Sequence, residues 1–173
     1  MASVADVRNE SVDELAVRVL ERLAELGQTV ATAESLTGGL LAARLTDVPG
    51  ASRCFVGGVV AYATRVKESA LGVSSDVLVQ HGAVSQECAD AMAVGVRDRL
   101  DATWGMATTG VAGPDPQEGH PVGTVWIAVS GPEGGRTQLL HLDGTRREIR
   151  EATCRNVLSA IDGILTREEP GLR

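Results

Sequence analysis

The sequence predicts an α/β protein: a three-layer α/β/α sandwich whose mixed, mostly parallel sheet ends in an antiparallel hairpin. Three observations carry that expectation. Apolar runs of strand length alternate with helical patterns as far as Thr108. Two more strand-like runs follow, separated only by Gly131-Pro132-Glu133-Gly134-Gly135, a link so short that the pair must be antiparallel. A last helical pattern closes the chain, and this order of elements puts helices on both faces of a sheet.

Taken in order, residues 1–10 read as a flexible lead. Ser11-Val12-Asp13-Glu14 is a capping box, Leu15, Val19, Leu23 and Leu26 follow at helical spacing, and Gly27 stops the helix. Gln28 to Ala33 is the first strand. Ala33-Glu34-Ser35-Leu36-Thr37-Gly38-Gly39 then turns the chain into a second helix, which ends at Thr46 ahead of Pro49-Gly50. Cys54 to Tyr62 is the next strand, and the Gly57-Gly58 inside it marks close approach by another backbone or a ligand.

Thr64 can cap a short helix through Leu71, and Ser74-Ser75-Asp76 opens another that His81-Gly82 closes. Ser85 caps a longer helix with Ala89, Met92, Ala93 and Val96 on one face and Asp90, Arg97 and Asp98 on the exposed side. Trp104 to Thr108 is the third strand. It leads into Thr109-Gly110-Val111-Ala112-Gly113-Pro114-Asp115-Pro116 and a polar loop to Gly123. Thr124 to Ser130 and Thr137 to Leu142 make the hairpin. In the last helix Thr145 is the N-cap and Glu148 its capping-box partner, with Ile149, Ala152, Val157, Leu158, Ile161 and Leu165 on the apolar face. No repeat, low-complexity block or linker divides the chain. Residues 11–167 are expected to form one domain, with 168–173 a frayed tail.

Composition narrows the function. Hydrophobic residues are 43% of the chain but aromatics only 2%, so the core is Ala, Val and Leu, and the aromatic platforms that stack nucleic-acid bases are missing. The net charge is −7 with no basic stripe, which argues against nucleic acid and anionic membranes as partners. Cys54, Cys88 and Cys154 are an odd number without CxxC spacing and read as core thiols in a reducing compartment. The polar N-terminus has no signal-peptide core, and the longest apolar run, around Phe55 to Ala63, is too short to span a bilayer. A cytoplasmic location is expected. No HExxH, paired Cys and His, or acidic cluster of metal-site type occurs, so neither a metal nor a cofactor is expected. The loop after Thr108 lacks the spacing and the Lys of a P-loop and does not match the dinucleotide fingerprint.

Ligands in such sheets bind beyond the carboxyl ends of strands. The turns after Ala33, Tyr62 and Thr108 all follow strand ends, so three loops can face one crevice. The first brings Ser35, at a strand-to-helix turn where free N–H groups can meet a developing negative charge. The same geometry suits a plain N-cap, with Thr37 as the cap and Gly38-Gly39 allowing close helix packing. The second loop brings Tyr62 and Lys67, and the third Thr108, Thr109 and a glycine nest. His81 and His141 lie outside these loops and His120 sits in the polar loop, so a nucleophilic Ser35 needs Lys67 as its base. That lysine must be neutral. Its pKa would have to fall from about 10.4 to about 7.4, a difference of about 4 kcal/mol, which burial against small apolar walls can supply. A solvated helix lysine is the other reading. Oxyanion donors would be N–H groups around Thr37, Gly38 and Gly39. Glu34 is either an acceptor for backbone donors or a partner for Lys67. Arg146 and Arg147 start the last helix at its positive end, which makes sense if a phosphate binds there. For Arg147 the alternative is a solvated side chain balanced by Glu148 and Glu151.

Together these segments resemble the C-terminal domain family of competence/damage-inducible protein CinA, which includes stand-alone nicotinamide-nucleotide amidases. The resembling pieces are Ala33 to Gly39, Tyr62 to Lys67, His81-Gly82-Ala83-Val84-Ser85, Thr109 to Pro114 and Pro121-Val122-Gly123-Thr124-Val125, in the family's order across residues 11–166. The resemblance implies hydrolysis of the carboxamide of nicotinamide mononucleotide to nicotinate mononucleotide and ammonia, in NAD recycling, without metal or cofactor. Carried over by position, it implies Ser35 as nucleophile, Lys67 as base, Tyr62 as a site tyrosine and Thr109 as the helper hydroxyl. Arg146 falls where the family has an arginine that meets substrate phosphate. Thr37, Gly38, Gly39, Gly110 and Gly113 complete the expected substrate contacts. The partner expected is a small-molecule nucleotide, and the family's habit implies a homodimer. Many relatives have Asn at Thr64 and more glycines where this chain reads Gly-Pro-Asp-Pro, which bears on loop conformation and substrate fit. The length leaves no room for the second, N-terminal domain of longer CinA proteins, so no activity of that domain is expected. The competing functions are a non-catalytic nucleotide-binding or regulatory module, and an amidase for another pyridine or amide.

Overall fold

A computed structural model describes residues 11–168. The lead expected at 1–10 and residues 169–173 of the tail expected at 168–173 lie outside the described residues, and Glu168 is the last residue of the final helix. The elements run α1 (Val12–Leu26), β1 (Val30–Glu34), α2 (Leu40–Thr46), a 3-10 turn (Ala51–Arg53), β2 (Phe55–Val60), α3 (Thr64–Leu71), α4 (Ser75–His81), α5 (Gln86–Arg99), β3 (Trp104–Gly110), β4 (Thr124–Gly131), β5 (Gly134–His141) and α6 (Arg146–Glu168). The strands form one mixed sheet in the order β2-β1-β3-β4-β5. Strand β1 is parallel to β2 and β3, while β4 is antiparallel to β3 and β5. The expected α/β/α sandwich with a terminal hairpin is the observed architecture.

Successive side chains on a strand point to opposite faces, and here that period of two sorts residues by size. On one face Val30, Trp104, Met106, Val125, Ile127 and Val129 pack with Leu15 and Leu23 of α1, Leu41 and Leu45 of α2, and Ile149 and Leu158 of α6. On the other, Ala31, Ala33, Ala107 and Ala128 pack with Leu71 of α3 and Met92, Ala93 and Val96 of α5. The small face draws α5 close to the sheet. A Cβ at Gly105 would stand 2.0 Å from the Ala93 carbonyl oxygen, so the helix position depends on the missing side chain. Gly105→Ala is expected to cost about 1–3 kcal/mol by overpacking, read as a lower urea midpoint at unchanged slope. The two glycines inside β2 differ. A Cβ at Gly58 would meet the side-chain Oγ1 of Thr32 at 2.2 Å and its backbone carbonyl oxygen only at 3.1 Å, so a side chain approaches there before the backbone, whereas at Gly57 the nearest atom is a Leu100 methyl at 3.7 Å.

Four helix starts follow their local signals. Ser11 and Glu14 form the capping box of α1, Ser74 and Ser85 cap α4 and α5, and Thr145 and Glu148 bond reciprocally at the start of α6. Gly27 ends α1 with φ 65°. Other expectations need correction. Thr64 is the first residue of α3 and Ala63 its N-cap, with no side-chain cap bond. Strand β3 runs on through Thr109 to Gly110 because the antiparallel ladder to β4 continues to Val125. Gly131, Gly134 and Gly135 belong to the hairpin strands, which leaves Pro132-Glu133 as the turn. Asp90 and Arg97 are half-buried rather than exposed, since Asp90 accepts from the Thr137 hydroxyl and Arg97 donates to Ser130 and Gly131. Ala152 is half-buried, and Cys154 takes a buried position on the apolar face of α6. No helix among the described residues is long and apolar enough to cross a membrane.

Helix α2 leaves β1 toward the bulky face, and α3 and α5 lie on the small one. The carboxyl ends of β1, β2 and β3 therefore border a crevice where the helices part, the position at which α/β sheets bind ligands.

Candidate active site

Ser35 follows directly on β1, and the sheet holds it there. Its N–H donates to the Thr108 carbonyl at 2.9 Å, and the Glu34 carbonyl accepts from Ala61 N–H at 2.8 Å, so the ladder runs past the strand on both sides. The Glu34 side chain, 1% exposed, turns toward α2. Its Oε2 accepts from the N–H groups of Gly39 and Leu41, both at 3.0 Å, and its Oε1 accepts from Ala42 N–H at 2.8 Å. Of the two roles the sequence left open for Glu34, it takes that of backbone acceptor. A carboxylate at a helix N-terminus also suits the dipole.

Glu34 thus does the capping expected of Thr37. The N-cap position is Gly39, at φ 94°, preceded by Gly38 at φ 58°, two left-handed residues that turn the chain sharply behind Ser35. Thr37 Oγ1 lies 2.7 Å from Thr108 Oγ1 instead. The carbonyls of Leu36 and Thr37 accept from Arg150 Nε at 3.1 Å and Nη2 at 2.6 Å. Arg150 was not foreseen. Its one sequence signal is its position four residues after Arg146 on α6, which puts both on the same helix face.

Lys67 comes from the first turn of α3, yet it is 1% exposed. Its Nζ is 2.9 Å from Ser35 Oγ and 2.8 Å from the Ala61 carbonyl oxygen. Burial holds its pKa below the ordinary lysine value, against the opposing pull of Cys88 and Glu118. The Cys88 thiol is itself pushed up to about 11 by burial, so it is no rival nucleophile near neutrality. Cys54, Cys88 and Cys154 are all free and buried, as expected of core thiols.

The period of two decides between the adjacent threonines of β3. Thr108 points to the α2 side, toward Thr37, while Thr109 faces the site and donates from Oγ1 to the Ala83 carbonyl at 2.6 Å. At the mouth, Arg146 donates from Nη2 to the Tyr62 hydroxyl at 2.9 Å and from Nη1 to the Gly113 carbonyl at 2.5 Å. Loops after β2 and β3 are thereby tied to the start of α6. Ser35, Tyr62, Lys67, Thr109, Gly110, Gly113 and Arg146 all line one cleft of about 330 Å³.

Thr37, Gly38 and Gly39 do not line it. The N–H of Gly38 donates to the Ser35 carbonyl and that of Gly39 to Glu34, so both are engaged elsewhere. Leu36, Ala112 and Gly113 do line the cleft, and their N–H groups have no intramolecular acceptor among the described residues. Glu118 was also missed. Its Oε2 accepts from Ala83 and Val84 N–H at 2.8 and 3.3 Å and ties the loop before β4 to the segment that opens α5. Only its place in a polar loop was visible in the sequence. Among the described residues no three His, Cys, Asp or Glu side chains come together as a metal site.

The CinA C-terminal domain model matches residues 12–165 of the chain. A CinA-like protein of Frankia casuarinae is 55% identical over 158 residues, 91% of this chain and 36% of that protein. A putative competence-damage inducible protein of Desulforamulus reducens is 54% identical over 133 residues, 77% of this chain and 32% of its own length. The chain therefore spans about a third of the length of these curated relatives. Among solved structures, a CinA superfamily protein of Klebsiella pneumoniae superposes with TM-score 0.89 at 32% identity, covering 91% of this chain and 99% of that one. The competence/damage inducible protein CihA of Agrobacterium tumefaciens does so with TM-score 0.85 at 38% identity, covering 90% and 95%.

Proposed function

We propose that this chain, which belongs to the CinA C-terminal domain family, is an amidase that converts nicotinamide mononucleotide to nicotinate mononucleotide and ammonia. The observation that carries the reading is Lys67. A lysine that is buried, whose pKa burial lowers and whose Nζ lies 2.9 Å from a serine hydroxyl supports the reading of Lys67 as the general base.

In this reading Ser35 Oγ attacks the carboxamide carbon while its proton passes to Lys67 Nζ. The carbonyl oxygen becomes an oxyanion, and the unpaired N–H groups of Leu36, Ala112 and Gly113 are among the donors that the cleft lining offers it. Collapse of the tetrahedral centre breaks the C–N bond, and Lys67 returns the proton to the leaving nitrogen, which departs as ammonia. Water then attacks the Ser35 ester with Lys67 again as base, releasing the carboxylate and restoring the hydroxyl. The Ala61 carbonyl supports both states of the lysine, since it accepts from Nζ whether or not the amine carries its extra proton. With its own proton committed to Ala83, Thr109 offers its oxygen to the substrate's amide N–H.

Arg146 supports the choice of a phosphorylated substrate, because it presents an exposed cation at the mouth of the cleft. Arg146→Ala is expected to raise KM for the mononucleotide about 10- to 100-fold and KM for the unphosphorylated nucleoside far less, with any fall in kcat from the lost ties to Tyr62 and Gly113 common to both substrates. Steady-state kinetics on both substrates check this. The primary test is ammonia release from nicotinamide mononucleotide by purified protein, compared with a panel of other pyridine amides. Release from another amide alone would redirect the substrate assignment. Tight nucleotide binding with no release at any pH would favour the non-catalytic module instead.

A further inference from the structure

A second cleft, of about 500 Å³, opens between α2 and α6, and its charged lining is Arg44, Asp47, Arg146, Arg147, Arg150 and Glu151. Four guanidinium groups against two carboxylates leave two positive charges in excess within the lining. Asp13 reaches Arg44 from outside at 3.3 Å and reduces the excess to one. Neither carboxylate that the sequence offers to Arg147 forms an ion pair with it, although Glu148, next to it in the chain, keeps its negative charge. Glu148 is held by Thr145 in the capping box, and Glu151 pairs with Arg44 at 2.8 Å. Arg147 is exposed and makes no hydrogen bond or ion pair among the described residues.

The other cations are only partly satisfied. Arg146 and Arg150 donate to carbonyls and to a phenol, which use N–H groups but leave the charge in place. Arg44 Nε is buried without a hydrogen-bond partner. Like charges at positions 146 and 150, one turn apart at the positive end of a helix, are unfavourable without a counter-ion. Arg146 lines both clefts, so the two adjoin at its side chain.

We propose that the α2–α6 cleft is a second anion site that takes a diphosphate group, with Arg147 as its main contact and Arg146 shared with the catalytic cleft. A diphosphate carries the charge to meet the two-cation excess of the lining and the length to engage two guanidinium forks at once, whereas orthophosphate is limited to one end of the pair. The diphosphate can be terminal, as in a nucleoside diphosphate, or bridging, as in a dinucleotide. The site does not depend on the amidase reading, because its occupancy is measured without turnover.

The test is calorimetric titration of the full chain with inorganic pyrophosphate and with orthophosphate, at fixed ionic strength, for wild type, Arg147→Gln and Arg147→Lys. Pyrophosphate is expected to bind the wild type more tightly than orthophosphate does. Arg147→Gln should weaken it about 10-fold, and Arg147→Lys should fall between because it keeps the charge but loses the fork. Arg147 is exposed, so these variants fold, and unchanged urea midpoints verify that. Equal pyrophosphate affinity in wild type and Arg147→Gln overturns the proposal, as does wild-type affinity for pyrophosphate no better than for orthophosphate. Competition then separates the sources. Displacement by a nucleoside diphosphate identifies a terminal group, displacement by a dinucleotide a bridging one, and displacement by neither overturns the site.

Discussion

Lys67→Met is expected to reduce amide hydrolysis on the order of 10²–10⁴-fold while the protein stays folded. Methionine has similar length and an apolar shaft, so it fills the buried channel, but it has no amine to take the Ser35 proton. Ser35→Ala should lose at least as much. The double variant should lose scarcely more than either single change, because nucleophile and base act as one unit. Ammonia release under single-turnover conditions measures all three. If Lys67→Met kept wild-type turnover, Ser35 would need another base, and none of the cleft's other side chains has a comparable contact with its hydroxyl.

The same lysine sets two pH dependences with a common sign. Burial puts its folded pKa below the ordinary value. Activity therefore rises as pH rises through that lowered pKa, and the acidic limb of the kcat/KM profile lies below the usual lysine range. For stability, the unfolded chain holds more protons than the folded one between the lowered pKa and the ordinary one, so wild-type stability increases with pH across that window. Below the lowered pKa both states are protonated and the buried ammonium carries its full desolvation cost. Lys67→Met removes this dependence. The stability of the variant relative to wild type should thus be greatest at low pH and decline as pH rises, read from urea midpoints at several pH values.

Glu34→Gln is expected to destabilise the fold on the order of 3 kcal/mol. The carboxylate takes three backbone N–H groups from the start of α2 through both of its oxygens. An amide has one oxygen, so its NH₂ must face either Ala42 N–H or the Gly39 and Leu41 pair, donor against donor in a buried site. With α2 loosened, the turn behind Ser35 loses its anchor, and kcat should fall even at temperatures where the variant remains folded. Urea denaturation together with kinetics checks both parts. A wild-type midpoint would mean that the Arg150 bonds to Leu36 and Thr37 hold the turn without help from Glu34.

The contrast between Glu34 and Thr37 shows where local reasoning stops. Thr is a good capping residue by type, and it stands close to the helix start. The cap comes instead from a residue inside β1, because strand period points Glu34 at the face where α2 packs. The turn geometry that brings those amides to it needs two left-handed glycines. Propensity ranks residue types, but it does not say which side of a sheet an atom is on. Thr108 and Thr109 make the same point: they are adjacent and chemically identical, and only the register of β3 against β1 and β4 sends one toward Thr37 and the other into the cleft.

What the sequence determined by itself was the order and type of the elements, four of the helix starts, and the three segments, each at or after a strand, that carry Ser35, Lys67 and Thr109. Those properties depend on residues a few positions apart, through hydrophobic period and capping. Tertiary structure alone decided the 2.9 Å approach of Lys67 to Ser35, the burial that lowers its pKa, the capping role of Glu34, and the bonds made by Arg150 and Glu118. Each of these joins groups from separate elements. Their distances and desolvation arise only when α2, α3, α5 and α6 close on the ends of the sheet.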